Sequence, residues 1–327
     1  MRVIGKIGYE GMAHIYIAES EQGQKIEFVE STRPPYPKDV KWVNIISTLF
    51  GCPAGCHFCD AGLQYKRKLT ADEMLFQLKY LVAKKFEPGK VPSKQWKIQF
   101  SRMGDPAYNH HVLDLLRTLP DEFDAPGLMP SISSIAPRGR EKFFDELLEI
   151  KNDIYPDRFQ FQFSVHTTDP IIRRKLIPVP TWSFEQMSEY GDRMYLTGGR
   201  KITLNFALMK GVPVDANELI KYFNPDTFLM KITPMNPTHS AVRNNLVSLY
   251  EFPEEAEAVI NSICDKGFQV IESYGEDEEN EIGSNCGQYV FRLKEDAKTP
   301  PKKAYSFNFV EIHPEVDSEK LKTVVVN

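Results

Sequence analysis

Residues 52–59 read Cys52-Pro-Ala-Gly-Cys56-His57-Phe58-Cys59, a CxxxCxxC spacing that gathers three thiols on one short loop. Gly51, Pro53 and Gly55 let the chain curl there. Three thiolates fall one short of the four that saturate a [4Fe–4S] cluster, which leaves one iron open to a cofactor or substrate. Zinc completed by Cys264 or Cys286 is the alternative, although structural zinc sites usually pair two close CxxC-type arms and this chain has no second one. Five cysteines in 327 residues are too few for a disulfide scaffold, and three of them within eight positions indicate a metal held in a reducing cytosol.

Other residues are placed to do polar chemistry. In Phe161-Gln162-Phe163-Ser164-Val165-His166, period-two alternation sends Gln162, Ser164 and His166 to one face and the apolar residues to the other. Three inward polar side chains call for a polar cofactor or for a layer that satisfies itself. Gly104 allows a close backbone approach and Asp105 offers a carboxylate to an ammonium group; alone, Gly-Asp-Pro would be a turn. Cys286, flanked by Gly283 and Gly287, suits a mobile nucleophile or a small loop hydrophobe. Cys264, beside Ile260 and Ile263 on a helical face, reads as core packing.

These residues need a scaffold, and alternating strands and helices supply one. Strands are expected at 42–47, 96–101, 129–134, 159–165, 202–209, 228–233 and 268–273. Helices are expected at 70–84, 112–118, 140–150, 184–196, 217–223 and 253–266, the first with a Thr70/Glu73 capping box. Six strand–helix units in succession imply an α/β fold, a partial (β/α)6 TIM-type barrel, with a flatter doubly wound sheet as the alternative. The expected organisation is a small N-terminal β extension over 1–41 (strands at 14–20 and 24–31), the barrel over 42–273, and an active-site loop and tail over 274–327. Alternation at 305–312 suggests an edge strand or a cap. No apolar h-region and no stretch of 18 apolar residues occurs, which predicts a cytoplasmic protein without a membrane partner. A net charge of −5 argues against a broadly basic nucleic-acid surface, and Lys66-Arg67-Lys68 reads as a solvated flank.

Further segments follow in order: Arg102-Met103-Gly104-Asp105-Pro106 ending in Asn109, Ser131-Ile-Ser133, Ser164-Val165-His166, Leu208-Met-Lys-Gly211-Val212, Pro234-Met-Asn236-Pro237 and Asn285-Cys286-Gly287-Gln288. With CxxxCxxC and the aromatic Phe58 before its last cysteine, the set resembles the radical S-adenosylmethionine (SAM) superfamily. Within it the match is to the RNA adenine methylsynthases, the C2-methylating rRNA/tRNA enzymes and their C8-methylating resistance relatives. The segments correspond to their GEP-type, Ser-Thr-Ser, Ser-Leu-His and Ala-Cys-Gly-Gln motifs, and the similarity spans about residues 10–290. The resemblance implies a radical SAM barrel in which Cys52, Cys56 and Cys59 hold a [4Fe–4S] cluster. Gly104 and Asp105 would meet the methionyl amine of SAM, and Ser131, Ser133, Ser164, His166 and Asn236 its carboxylate and ribose. It further implies that one SAM methylates Cys286. A second is cleaved to a 5′-deoxyadenosyl radical, which takes hydrogen from the methylated cysteine so that the carbon radical adds to the substrate. Glu27 would accept a proton, and a flavodoxin or ferredoxin would supply the electron.

Two departures qualify that carry-over. The family's resolving cysteine lies seven residues before the first cluster ligand, where this chain has Ile45. The family's helical RNA-binding domain has no counterpart before the β extension, since Cys52 lies 51 residues from Met1, and Glu276-Asp277-Glu278-Glu279 adds negative charge near Cys286. The sequence therefore points to methyl or one-carbon transfer through Cys286 to a small molecule or peptide. The alternatives are hydrogen abstraction or rearrangement with Cys286 a relic, or an RNA adenine methyltransferase.

Overall fold

The computed structural model describes residues 1–31, 37–196, 198–273, 279, 282–284, 289–292 and 310–312. Strands β1 (Arg2–Tyr9), β2 (Ala13–Glu19) and β3 (Lys25–Ser31) form an antiparallel ribbon, and β3 pairs antiparallel with β4 (Lys41–Ile46). A short ladder of β5 (Leu49–Phe50) and β6 (Arg67–Lys68) brackets the cysteine loop. Parallel to β4 run β7 (Gln95–Phe100), β8 (Leu128–Ser134), β9 (Gln160–Ser164), β10 (Ile202–Leu208), β11 (Phe228–Pro234) and β12 (Val270–Glu272). The two-residue β13 (Val310–Glu311) adds to β1 as an edge strand. The result is one sheet of eleven strands in the order β12-β11-β10-β9-β8-β7-β4-β3-β2-β1-β13, open rather than closed. The partial barrel expected from the strand–helix count is therefore borne out, with the ribbon continuing its sheet at β4.

The expected parallel strands lie where alternation put them. β1 was not expected, because Gly5 and Gly8 dilute its apolar pattern and the register slips by a bulge between Val3 and Gly5. Helices α1 (Ala71–Lys85), α2 (His111–Glu122), α3 (Glu141–Ile154), α4 (Pro170–Leu176), α5 (Phe184–Met194), α6 (Ala216–Tyr222), α7 (His239–Arg243) and α8 (Pro253–Cys264) complete the framework. Two of these, α4 and α7, lie outside the helices expected from the sequence; α7, at five residues, has too few turns for a helical period to declare itself.

One face of each barrel strand is buried beneath helices: Trp42 and Ile46, Trp96 and Ile98, Phe161 and Phe163, Met230 and Ile232. Trp42 and Trp96 stack at 5.8 Å between ring centroids, closed at the edges by Phe86 and Phe123. The opposite, concave face carries the less buried positions, such as Gln95, Lys97 and Gln99 on β7 and Gln160, Gln162 and Ser164 on β9. Among the described residues no helix is long and apolar enough to cross a membrane.

The Thr70/Glu73 capping box forms on α1, and Glu73 also takes both guanidinium nitrogens of Arg67 at 2.7 and 2.8 Å. Arg67 in turn lies over the Phe50 ring, so this member of the basic run braces the cysteine loop. Thr70→Ala should cost about 1 kcal/mol of stability by removing one cap bond, measured by urea denaturation.

Candidate functional site

The cysteine loop is gripped by elements far along the chain. The His57 amide donates to Leu176 O on α4, and Thr238 Oγ1 donates to Phe58 O. The Asp60 carboxylate accepts from the Ser240 amide at 2.8 Å and lies 3.2 Å from His239 Nδ1, both on α7. Asn244 Nδ2 donates to His57 O. These bonds also hold the Asp60 carboxyl below its ordinary range despite burial. Gly51 sits at φ +83°, and a Cβ there would fall 2.2 Å from Gln64 O, so the loop's entry tolerates no other side chain.

Cys52, Cys56 and Cys59 are free thiols. Burial, then the Asp105 carboxylate, pushes Cys52 up to about 11. Burial, then Cys59 and Cys52, holds Cys56 well above its usual value. The three thiols of one loop thus act on one another in a setting where thiolates alone are disfavoured. A bound cation reverses that balance, because coordinated thiols ionise. The donor set fits the three-cysteine side of a [4Fe–4S] cluster.

The other expected site residues assemble at the C-terminal ends of the barrel strands, where a barrel builds its chemistry. Asp105 accepts from the Ala107 amide at 2.9 Å, the Ile135 amide at 2.7 Å and Ser134 Oγ at 2.9 Å. Burial raises its carboxyl to about 6 against those bonds. Gly104, at φ +93°, has its own constraint: an added Cβ would overlap the Leu49 side chain at 2.4 Å, so here the missing side chain makes room for the protein itself. Ser131, Ser133 and Ser164 occupy the concave face, with Ser133 Oγ accepting from Gln162 Nε2 at 2.8 Å. His166 is buried at φ +67°, a region L-residues seldom occupy. Its Nδ1 accepts from the Ala207 amide at 3.1 Å, which places the ring proton on Nε2, and burial pushes its pKa down to about 3. Phe58 packs edge-on against this ring at 4.6 Å, joining the cysteine loop to β9. Asn236 lies half-buried two residues before Thr238 and so beside the same loop.

Glu27 is fully buried on β3 and paired with Arg102, Nη2 lying 2.7 Å from Oε1. Arg102 also donates to Ser284 O at 2.9 Å and Gly283 O at 2.8 Å, while the Val290 amide donates to Glu27 Oε2 at 3.0 Å. The pair therefore holds both flanks of the segment that carries Cys286. Cys286 itself lies outside the described residues. Burial raises the Glu27 carboxyl, and Arg102 with the Tyr289 and Val290 amides opposes that shift.

Sequence reasoning quoted Arg102 without a role and passed over Arg173, Asp60 and Thr238. Arg173 donates to the carbonyls of Ile135, Ser164 and Val165, tying the ends of β8 and β9 together. The Asp169-Pro170 start signal was the available clue to its helix. Cys264 is exposed rather than in the core, since the buried stripe of α8 runs through Ala256 and Ile263 and Cys264 lies one residue around the helix.

No family model matches the chain. It is 27% identical over 260 residues to the "Probable dual-specificity RNA methyltransferase RlmN" of Thermus thermophilus, covering 76% of this chain and 67% of that protein. The protein of the same description from Chlorobium phaeobacteroides is 26% identical over 298 residues, covering 83% and 72%. Among solved structures, a radical SAM methyltransferase from Sphaerobacter thermophilus shares the fold with a TM-score of 0.63 at 19% identity, over 84% of this chain and 76% of that one. The resemblance drawn from the motifs agrees with these findings: the chain is similar to named RNA methyltransferases over most of its length and shares the fold of a radical SAM methyltransferase.

Arg102→Met leaves a buried carboxylate without its counter-charge and should cost about 3–5 kcal/mol at neutral pH, read by chemical denaturation. Glu27 then titrates above its unfolded value of about 4.3, so the deficit should shrink as pH falls towards 5. For His166 the sign is opposite: its contribution is present above about 6.5 and is lost as pH falls towards 3. Its ring proton resonances should stay unshifted between pH 8 and 5 by NMR.

Proposed function

We propose that this radical SAM enzyme methylates an aromatic carbon of an RNA base, with Cys286 as the methyl carrier. The observation that carries the reading is the similarity to named RNA methyltransferases over three quarters of the chain or more, combined with the motif order that ends in Asn285-Cys286-Gly287-Gln288. The expectation of a small-molecule or peptide substrate finds no support among these relatives.

When bound, the cluster and SAM supply the methyl group and a radical that activates it. The chain's own residues bind and orient. Cys52, Cys56 and Cys59 would hold the cluster. Asp105, Ser131, Ser133, Ser164, His166 and Asn236 would hold SAM, with neutral His166 offering its Nε2–H as a donor. Phe58 packs against His166 and keeps water from that side of the loop. Glu27 and Arg102 hold the flanks of the Cys286 segment against the barrel. Ile45, on the concave edge of β4, has no sulfur, so product leaves Cys286 by a course other than the family's disulfide. A flavodoxin- or ferredoxin-type reductant would supply the electron.

The substitution at Ile45 specifically favours a second reading, hydrogen abstraction or rearrangement on a small molecule without methyl transfer. Anaerobic incubation of the reconstituted enzyme with SAM, reductant and tRNA or rRNA transcripts separates the two. The proposal expects 5′-deoxyadenosine, S-adenosylhomocysteine, a methyl adduct on the Cys286 peptide and a methylated nucleoside by mass spectrometry. 5′-Deoxyadenosine with an unmodified Cys286 peptide selects the second reading, and absence of 5′-deoxyadenosine overturns both.

A further inference from the structure

Two of the chain's seven histidines stand side by side where α2 begins. His110 precedes the first turn, His111 opens it, and Asp114 follows three positions later on the His111 side of the helix. The two imidazole rings lie 4.1 Å apart between centroids, and His111 Nδ1 stands 3.1 Å from Asp114 Oδ2. One ring nitrogen of each histidine and one oxygen of the aspartate all fall within 4.8 Å of one another. Two ligands of one zinc ion, each at about 2.0–2.1 Å and at tetrahedral angles, stand about 3.3 Å apart. The His111–Asp114 pair is already close to that spacing. His110 makes no side-chain hydrogen bond at the helix start and is exposed, so its ring can turn to meet them.

The surroundings favour coordination over simple charge attraction. Lys68 and Arg117 are the cations nearby, Asp114 and Glu146 the anions, so the local charge is near balance. Arg117 lies 3.7 Å from Asp114 Oδ1 and closer, at 3.0 Å, to Glu146, which leaves Oδ2 turned to the histidines. A balanced spot with two imidazoles suits a transition ion, whereas magnesium and calcium take oxygen ligands.

The position also has a mechanical link to the cysteine loop. The His111 amide donates to Asn109 Oδ1 at 3.1 Å, and Asn109 Nδ2 donates to Thr48 O and Leu69 O, each at 2.8 Å. Thr48 and Leu69 stand just before β5 and just after β6, at the two roots of that loop.

We infer that His110, His111 and Asp114 form a metal site apart from the cysteine loop, which takes a divalent transition ion such as zinc through two imidazole nitrogens and a carboxylate oxygen. The ion replaces the hydrogen shared by His111 Nδ1 and Asp114 Oδ2. It fixes the first turn of α2 and, through the His111 amide, the asparagine that ties the loop's roots together. The inference does not rest on the nucleobase reading above.

The test is zinc titration of the untagged, anaerobically reconstituted enzyme by calorimetry, with zinc X-ray absorption on the product. One zinc should bind with nitrogen and oxygen neighbours, and magnesium at the same concentration should not bind there. His110→Ala and His111→Ala should each weaken zinc about a hundredfold or more, since even an outer-shell partner is worth about 10–100-fold. Both should keep the melting temperature of the zinc-free enzyme, because an exposed pair contributes little. Zinc should slow amide hydrogen exchange over residues 109–116 in the wild type and not in His111→Ala. Zinc found on sulfur alone, zinc binding unchanged in both histidine variants, or equal affinity for magnesium overturns the inference.

Discussion

Much of this molecule's organisation depends on one buried ion pair. Withdrawing a carboxylate and a guanidinium from water costs several kcal/mol each, and such a pair persists only where close geometry and further hydrogen bonds offset that cost. Glu27 and Arg102 meet the condition by sharing four chain segments: β3, the turn after β7, residues 283–284 and the short helix Tyr289–Arg292. The surroundings are equally specified, with Ser47 Oγ donating to Glu27 O and the Met103 amide donating to that same hydroxyl. The N-terminal ribbon is thereby a working wall of the site. Without β3 in the sheet, Arg102 would face an apolar gap and the segment bearing Cys286 would lose its anchor at both ends.

A comparable logic governs the cysteine loop. Its curl is local, a matter of Gly51 and the β5–β6 ladder, but its position is imposed by α4 and α7, which reach it from more than a hundred residues downstream. Asp60 does for this loop what Arg102 does for the C-terminal segment: the carboxylate gathers backbone amides, as the guanidinium gathers backbone carbonyls. Phe58 of this loop meets the His166 ring just past β9.

The parallel strands were legible because each alternates a helix-covered residue with an inward one, as Trp96-Lys97-Ile98 does. The thiol spacing was legible because ligand chemistry is local. What escaped was interaction that depends on register. Arg102 was visible within its motif, yet its partner lies 75 positions earlier and is brought near only by the β3–β4 and β4–β7 pairings. The short helices α4 and α7 hold the loop with one or two turns each, and neither announces itself by an apolar period. Gly104 was read as room for a ligand, whereas Leu49 fills the space. Cys264 shows the converse failure, an apolar-looking neighbourhood in sequence that the helix rotates into solvent.

The bonds from Asp60 to Ser240 and from Asn244 to His57 also set an order of events during synthesis. The three cysteines leave the ribosome with the first fifth of the chain, but the backbone that fixes their loop arrives almost two hundred residues later. At a synthesis rate of about 5–20 residues per second, the thiols spend on the order of ten seconds or more on a loop without its final geometry. A cluster delivered in that interval would meet a site still unmade. The loop is thus finished only with the barrel, and any metal its three cysteines take is best received last.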